Sequence, residues 1–184
     1  MSSEKQKADM NKKDRKNDRY RVRDFREEDA GEAAALIQKD LHEVTTDDAP
    51  WEREYLINFY TPENVRKNAE KGHTYVIEDP ETGAIVATGT ILPDSPAREG
   101  AANEAEICAC FVHPEHLREG IGTILFDALE KDAVFLSASR VWLTTSVYAA
   151  RFYEDRGYRY TFGYKGKNED DLTEMEKVPE SGGR

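Results

Sequence analysis

Residues 104–129 read as a strand, a glycine-bearing loop and an amphipathic helix in immediate succession, and this unit constrains the fold more than any other part of the chain. Glu104 to Val112 forms the strand. Ile121, Ile124, Leu125, Ala128 and Leu129 then recur at i, i+3, i+4, i+7 and i+8, the stripe of a helix packed on one side. Between them runs His113-Pro114-Glu115-His116-Leu117-Arg118-Glu119-Gly120-Ile121-Gly122-Thr123. Backbone N–H groups at a helix N-terminus bind phosphate when no side chain blocks the approach, and Gly120 and Gly122 meet that need. The loop lacks the Gly-Lys-Ser/Thr of a P-loop, and Leu125 stands where a dinucleotide-binding turn carries its third glycine, so neither of those readings holds.

The rest of the chain alternates strands and helices around this unit. Tyr20, Val22 and Phe25 open a short strand, and Glu28 to His42 carries Ala33, Ala34, Leu36, Ile37 and Leu41 at helical spacing behind an acidic first turn. Val44 to Tyr60 is acidic and aromatic and reads as a cover over a cleft. Pro62-Glu63 starts a short helix to about Lys71. Thr74–Glu78 and Ala84–Leu92 are β-rich runs parted by Asp79-Pro80-Glu81-Thr82-Gly83, the composition of a hairpin turn. After a loop from Pro93 to Asn103 and the central unit, Val141–Thr145 suits a strand covered on both faces. Ala149–Asp155 suits a short helix ending at Gly157, and Tyr158–Phe162 and Leu172–Val178 suit two closing strands.

Charge divides the chain unevenly. The 184 residues carry a formal net charge of −11. Met1 to Arg23 nevertheless holds nine Lys/Arg against four Asp/Glu, so the body is more acidic than the total. Residues 1–19 have no apolar periodicity and are expected to be a disordered basic tail; 20–178 form one domain, and 179–184 a C-terminal tail. An acidic body argues against a broad nucleic-acid surface and suits cationic partners or a high-salt cytoplasm. No stretch approaches a membrane span and the N-terminus has no secretory h-region, so a cytoplasmic protein without a membrane partner is expected. Cys108, Cys110, His113 and His116 place four potential metal ligands within nine residues. Structural zinc sites favour Cys pairs two to four residues apart with their own turn, so no metal is expected. The two cysteines read as small core thiols rather than a disulfide.

A second motif follows about 25 residues after the glycine loop: Ser146-Val147-Tyr148-Ala149-Ala150-Arg151-Phe152-Tyr153-Glu154-Asp155-Arg156-Gly157-Tyr158. With Gly120 and Gly122 ahead of it, the sequence from about Tyr20 to Val178 resembles the GCN5-related N-acetyltransferase (GNAT) superfamily. The loop is similar to its Gln/Arg-x-x-Gly-x-Gly/Ala signature, and Ala149, Phe152, Tyr153, Gly157 and Tyr158 match its later Ala-x-x-Phe-Tyr-x-x-x-Gly-Phe/Tyr pattern. The resemblance implies a mixed α/β domain with a central, mostly antiparallel, splayed sheet flanked by helices. It implies acetyl-CoA as co-substrate, its pyrophosphate held by the amides of Arg118, Glu119, Gly120, Ile121, Gly122 and Thr123. The pantetheine arm would pair with the backbone of Cys110, Phe111 and Val112, and Tyr148 would lie beside it. The chain departs from the pattern at Leu117, where relatives carry Gln or Arg and Arg118 comes one residue late, and at Tyr148, where many carry Asn.

The same resemblance implies direct acetyl transfer to a primary amine. Glu106 stands fourteen residues before Gly120 in an Ala-Glu-Ile context, as does the general base of the histone-lysine branch. A carboxyl between Ala105 and Ile107 suits a base working near neutrality. Glu104, two residues earlier on the same strand face, is the reserve. Tyr153 would be the general acid for the leaving thiolate, and a backbone N–H near Phe111 would meet the oxyanion. The acceptor, a small-molecule or peptide amine, is expected at Asp47, Asp48, Trp51 and Tyr55, whose carboxylates and rings suit a cation. His113 and His116 read as structural, and a homodimer is left open. The alternative is a non-catalytic acyl-CoA-binding or partner-binding module on the same fold, which Leu117 and Tyr148 favour; retention of both Glu106 and Tyr153 favours the enzyme.

Overall fold

The computed structural model describes residues 19–44, 50–93, 103–146, 148–161 and 173–180. The basic segment 1–18, Asp47 and Asp48, most of the Pro93–Asn103 loop, Phe162 and Leu172 lie outside the described residues.

Strand β1 (Arg21–Asp24) leads through a 3-10 turn at Glu27–Asp29 into α1 (Ala30–Glu43), followed by α2 (Pro50–Phe59) and α3 (Pro62–Lys71). The hairpin β2 (His73–Glu78) and β3 (Ile85–Pro93) precedes β4 (Glu104–Val112), a 3-10 turn at Pro114–His116, α4 (Ile121–Leu129) and α5 (Ala133–Ser137). β5 (Arg140–Thr145), α6 (Ala150–Asp155), β6 (Arg159–Tyr160) and β7 (Thr173–Lys177) complete the chain. The seven strands form one sheet in the order β1-β2-β3-β4-β5-β7-β6. Every pairing is antiparallel except β4 with β5. The expected mixed α/β architecture is therefore present.

Local chemistry sets several boundaries. Thr61 caps α3, its hydroxyl accepting the Asn64 N–H at 3.3 Å, and Pro62 follows where a missing N–H costs nothing. Asp132 caps α5 through the Val134 N–H at 2.7 Å. Two helices escape the sequence reading. α2 lies inside the segment read only as a cover, and α5 is too short to show a period. The first closing strand is also shorter than expected, two residues at Arg159–Tyr160.

Consecutive residues of β2 belong to different cores, which places a packed layer on each face of the sheet. On one face Ile121, Ile124, Leu125 and Leu129 of α4 meet Ile77, Ala87, Ile91, Ile107 and Leu143. On the other, Leu36, Ile37, Leu41 and Val65 of α1 and α3 meet Val76, Ile85 and Ala109. β3 is buried along all but its last residue because both layers cover it. Truncating a side chain as enclosed as Ile37 or Leu129 to Ala costs about 2–5 kcal/mol, so these layers fix the position of β4 between them.

Candidate active site

β4 and β5 part company midway. Their parallel pairing runs only from Glu104↔Arg140 to Ile107↔Leu143, while β4 stays paired with β3 as far as Val112↔Ala87 and β5 with β7 as far as Thr145↔Thr173. Residues 108–112 thus present a backbone edge to the gap, which an extended ligand arm can join as an added strand. A bulge sets this geometry. The register with β3 slips between Thr88 and Thr90, and Ala109 takes a left-handed conformation with φ 53°. Gly89 stands opposite; a Cβ there would come within 2.9 Å of Cys110 Sγ and 3.1 Å of Leu125. The extra residue sends Cys108 toward the α1 and α3 layer and Cys110 toward α4, so the two thiols stand on opposite faces, both free. Burial pushes both up, Cys110 to about 12, which keeps them protonated and unreactive at neutral pH.

The loop beyond β4 reaches α4 through two left-handed residues, Arg118 at φ 62° and Gly120 at φ 88°, the latter being the helix N-cap. The amides of Ile121, Gly122 and Thr123 open the helix, where no carbonyl precedes them to accept, and the helix dipole favours an anion there. Gly122 has no conformational need to be glycine. A Cβ on it would meet Phe152 at 3.6 Å and Val112 at 4.0 Å, ordinary contact distances, so the protein's own packing leaves room for a side chain. The same contacts show that Phe152 of α6 and the start of α4 are neighbours, which brings the two sequence motifs together. Leu117 and Arg118 are exposed, and Tyr148 is 57% exposed ahead of α6.

Tyr153 lies one position past Phe152 on α6, only 7% exposed, with its ring set edge-on to Phe126, Phe152 and Tyr158. Its hydroxyl is hydrogen-bonded to Thr145 at the end of β5. Burial, with the Cys110 thiol and the Asp40 carboxylate nearby, pushes the phenol well above its ordinary value. The group therefore keeps its proton through neutral pH, as a donor requires. Tyr153 and Cys110 flank the gap from the α4 side.

A model of the acetyltransferase (GNAT) family matches residues 34–158. The chain belongs to this family. A comparison with curated proteins finds no match. Among solved structures, a GCN5-related N-acetyltransferase from Rhodopseudomonas palustris is 22% identical with a TM-score of 0.66, over 86% of this chain and 94% of its own. PaiA N-acetyltransferase from Thermoplasma acidophilum, in complex with coenzyme A, is 14% identical with a TM-score of 0.68, over 86% and 98%. YncA from Salmonella typhimurium, with its cofactor acetyl-CoA, is 14% identical with a TM-score of 0.63, over 90% and 96%. These likenesses establish the fold.

In this GNAT chain Glu106 is half-buried in the row Leu92–Glu106–Trp142, on the sheet face opposite Ala105 and Ile107. Glu104, the reserve base, is engaged elsewhere: Arg140 Nη1 lies 3.4 Å from it, and the same guanidinium reaches Glu176 at 2.8 Å and Glu174 at 3.7 Å. Tyr60, buried just past α2, belongs to neither sequence motif. Its ring meets Phe111 edge-on at 5.5 Å, and its hydroxyl is hydrogen-bonded to the Ala109 backbone within the bulge. Burial, Cys108, Cys110 and Glu106 together push its phenol up. Thr145 and the buried Asp40 likewise stand outside both motifs. The lone signal for Tyr60 was its place in the aromatic run before Pro62.

On the acceptor side, Trp51 and Tyr55 stand one helical turn apart on α2, 61% and 62% exposed, with Tyr55 stacked on Phe59 at 6.0 Å. They are surface aromatics available to a ligand. Asp47 and Asp48 lie outside the described residues. His113 is held neutral by burial, which lowers its pKa, and its ring nitrogen accepts the Glu115 N–H at 3.3 Å, consistent with a turn residue. Among the described residues no group of three or more His, Cys, Asp or Glu is arranged to hold a metal, and no helix is long and apolar enough to cross a membrane. In a cavity of about 550 Å³ at the His73 end of β2, three of the lining side chains are tied together: Asp132 accepts from Tyr75 at 2.7 Å and pairs with His73 at 2.8 Å.

Proposed function

We propose that this GNAT chain transfers an acetyl group from acetyl-CoA directly to a primary amine, with Glu106 as base and Tyr153 as acid. The observation that carries the reading is a protonated, buried phenol at the gap where β4 and β5 diverge, one helical position from the Phe152 that packs beside the glycine loop. The residues present fit the co-substrate: the β4 edge from Cys110 to Val112 suits a pantetheine amide ladder, and the amides of Ile121 to Thr123 suit a pyrophosphate. Acetyl-CoA supplies the activated thioester. Glu106 takes the proton released as the amine nitrogen bonds to the carbonyl carbon, a β4 backbone N–H meets the oxyanion, and Tyr153 protonates the sulfur as the C–S bond breaks.

Calorimetric titration of acetyl-CoA tests the reading, followed by thiol release with polyamines, aminoglycosides and peptide amines. Micromolar binding and amine-dependent thiol release are expected. Absence of binding by the intact protein overturns it. The Gly122→Glu variant sharpens the result. A Cβ there meets only ordinary contacts and an acidic residue suits the first turn of a helix, so Tm should move by no more than a few degrees. The acetyl-CoA KM should nevertheless rise at least about tenfold, because the carboxylate occupies the phosphate approach and repels the anion. Equal affinity in the variant would remove the phosphate from this loop. On the acceptor side, replacing Trp51 and Tyr55 together by Ala should raise the amine KM about fivefold with little change in kcat, since the interaction is made equally in ground and transition states; an unchanged KM would take the acceptor away from α2.

A further inference from the structure

Tyr20 immediately precedes β1, three strands from β4, yet its side chain is buried, 6% exposed, against the loop that opens α4. Its hydroxyl donates to Glu119 Oε2 and stands 3.4 Å from His116 Nδ1. The His116 ring meets it edge-on with centroids 6.2 Å apart, and His116 Nδ1 is itself 3.6 Å from Glu119 Oε2. The Arg19 guanidinium lies 5.3 Å from the Tyr20 ring centre. Burial and the Glu119 carboxylate raise the phenol to about 12, so it remains a neutral donor.

Glu119 is an awkward residue for its position. It comes directly before Gly120, in a loop whose amides suit an anion, and a carboxylate there competes with a phosphate for the same donors and repels it at short range. Tyr20 holds that carboxylate, with the His116 ring beside both. The Tyr20 bond also ties down the loop between its two left-handed residues, Arg118 and Gly120.

We infer that Tyr20, assisted by His116, is a positioning residue for coenzyme A: it ties back the Glu119 carboxylate and so keeps the Ile121 to Thr123 amides open to the pyrophosphate. The inference rests on the acetyl-CoA reading above and adds to it a determinant from the opposite edge of the sheet. Tyr20 touches neither reacting group, so its loss should act on binding of the phosphate-bearing part of the donor and on nothing else.

The test compares acetyl-CoA with S-acetylpantetheine, which carries the same thioester without the pyrophosphate. In the full-length protein, Tyr20→Phe should raise KM for acetyl-CoA about tenfold, the order expected for a lost hydrogen bond to a charged group, with kcat within twofold. KM for S-acetylpantetheine should stay within twofold. Adding Glu119→Gln to Tyr20→Phe should bring the acetyl-CoA KM back to within threefold of wild type, since the uncaged side chain then carries no charge. Should Tyr20→Phe prove too unstable to assay, His116→Asn leaves Tyr20 in place and should raise the same KM two- to threefold, again for acetyl-CoA alone. A rise shared by both donors, or no recovery in the double variant, overturns the inference. Wild-type protein that binds no acetyl-CoA overturns the underlying reading instead, and calorimetry separates the two failures.

Discussion

Tyr153→Phe should lower kcat about 10²-fold while the affinity for acetyl-CoA stays within twofold. The substitution removes one hydroxyl and keeps the ring, so the edge-on contacts with Phe126, Phe152 and Tyr158 survive and Tm should move by no more than a few degrees. Thr145, which loses a partner, retains the Ser146 carbonyl at 3.3 Å. The change therefore isolates the proton. A binding module without turnover has no kcat to lose, and on that reading the variant differs from wild type in nothing measurable by ligand affinity. The pH dependence adds a second check. Burial raises the phenol, so its active form is the protonated one that persists through neutral and mildly alkaline pH. The wild-type kcat should accordingly show no fall attributable to an acid between pH 7 and 9. A kcat unchanged in Tyr153→Phe would move the acid to another group.

How far the sequence reveals this site follows from how local each feature is. The bounds of β4, Glu104 to Val112, and the α4 stripe are legible because adjacent residues share one environment and the period shows it. The bulge is not, because Ala109 carries no chemical mark of a left-handed backbone; that conformation follows from the register with β3, including Gly89 twenty residues earlier. α2 hides for a related reason. Its aromatics Trp51 and Tyr55 are exposed, so they break the one-sided apolar pattern by which helices are read. Pairings across long separations are invisible altogether. Nothing in the Tyr20 neighbourhood announces Glu119, 99 residues away, and nothing near Arg140 announces that it occupies Glu104. The family motif pointed to Tyr153, but only the fold supplies its Thr145 partner and its burial.

Glu106→Gln should cost more than any other single change in the acceptor half of the site, about 10²- to 10³-fold in kcat, the range for loss of a general base. Glu106 and Glu104 share one sheet face, so strand geometry alone offers two candidates. Their neighbours separate them. Glu104 is in the Arg140 ion cluster with Glu174 and Glu176, where ionisation serves the sheet, whereas Glu106 stands next along β4 toward the gap, with Tyr60 and Cys108 close by. Glu104→Gln should thus lower kcat less than fivefold and instead reduce Tm, because the guanidinium loses a partner in a largely enclosed cluster. The pH profile distinguishes a base from a strut. A carboxylate base gives wild type a rate that falls as the pH drops and the group is protonated, and Glu106→Gln should abolish that limb while lowering the plateau. The variant cannot take up a proton, so its residual rate should depend only on the fraction of acceptor amine that is unprotonated. An acid limb in Glu106→Gln steeper than the amine's own titration, with near-normal kcat and a large loss in Glu104→Gln, would reverse the assignment of the two carboxylates. Intact activity in both would place the base outside β4.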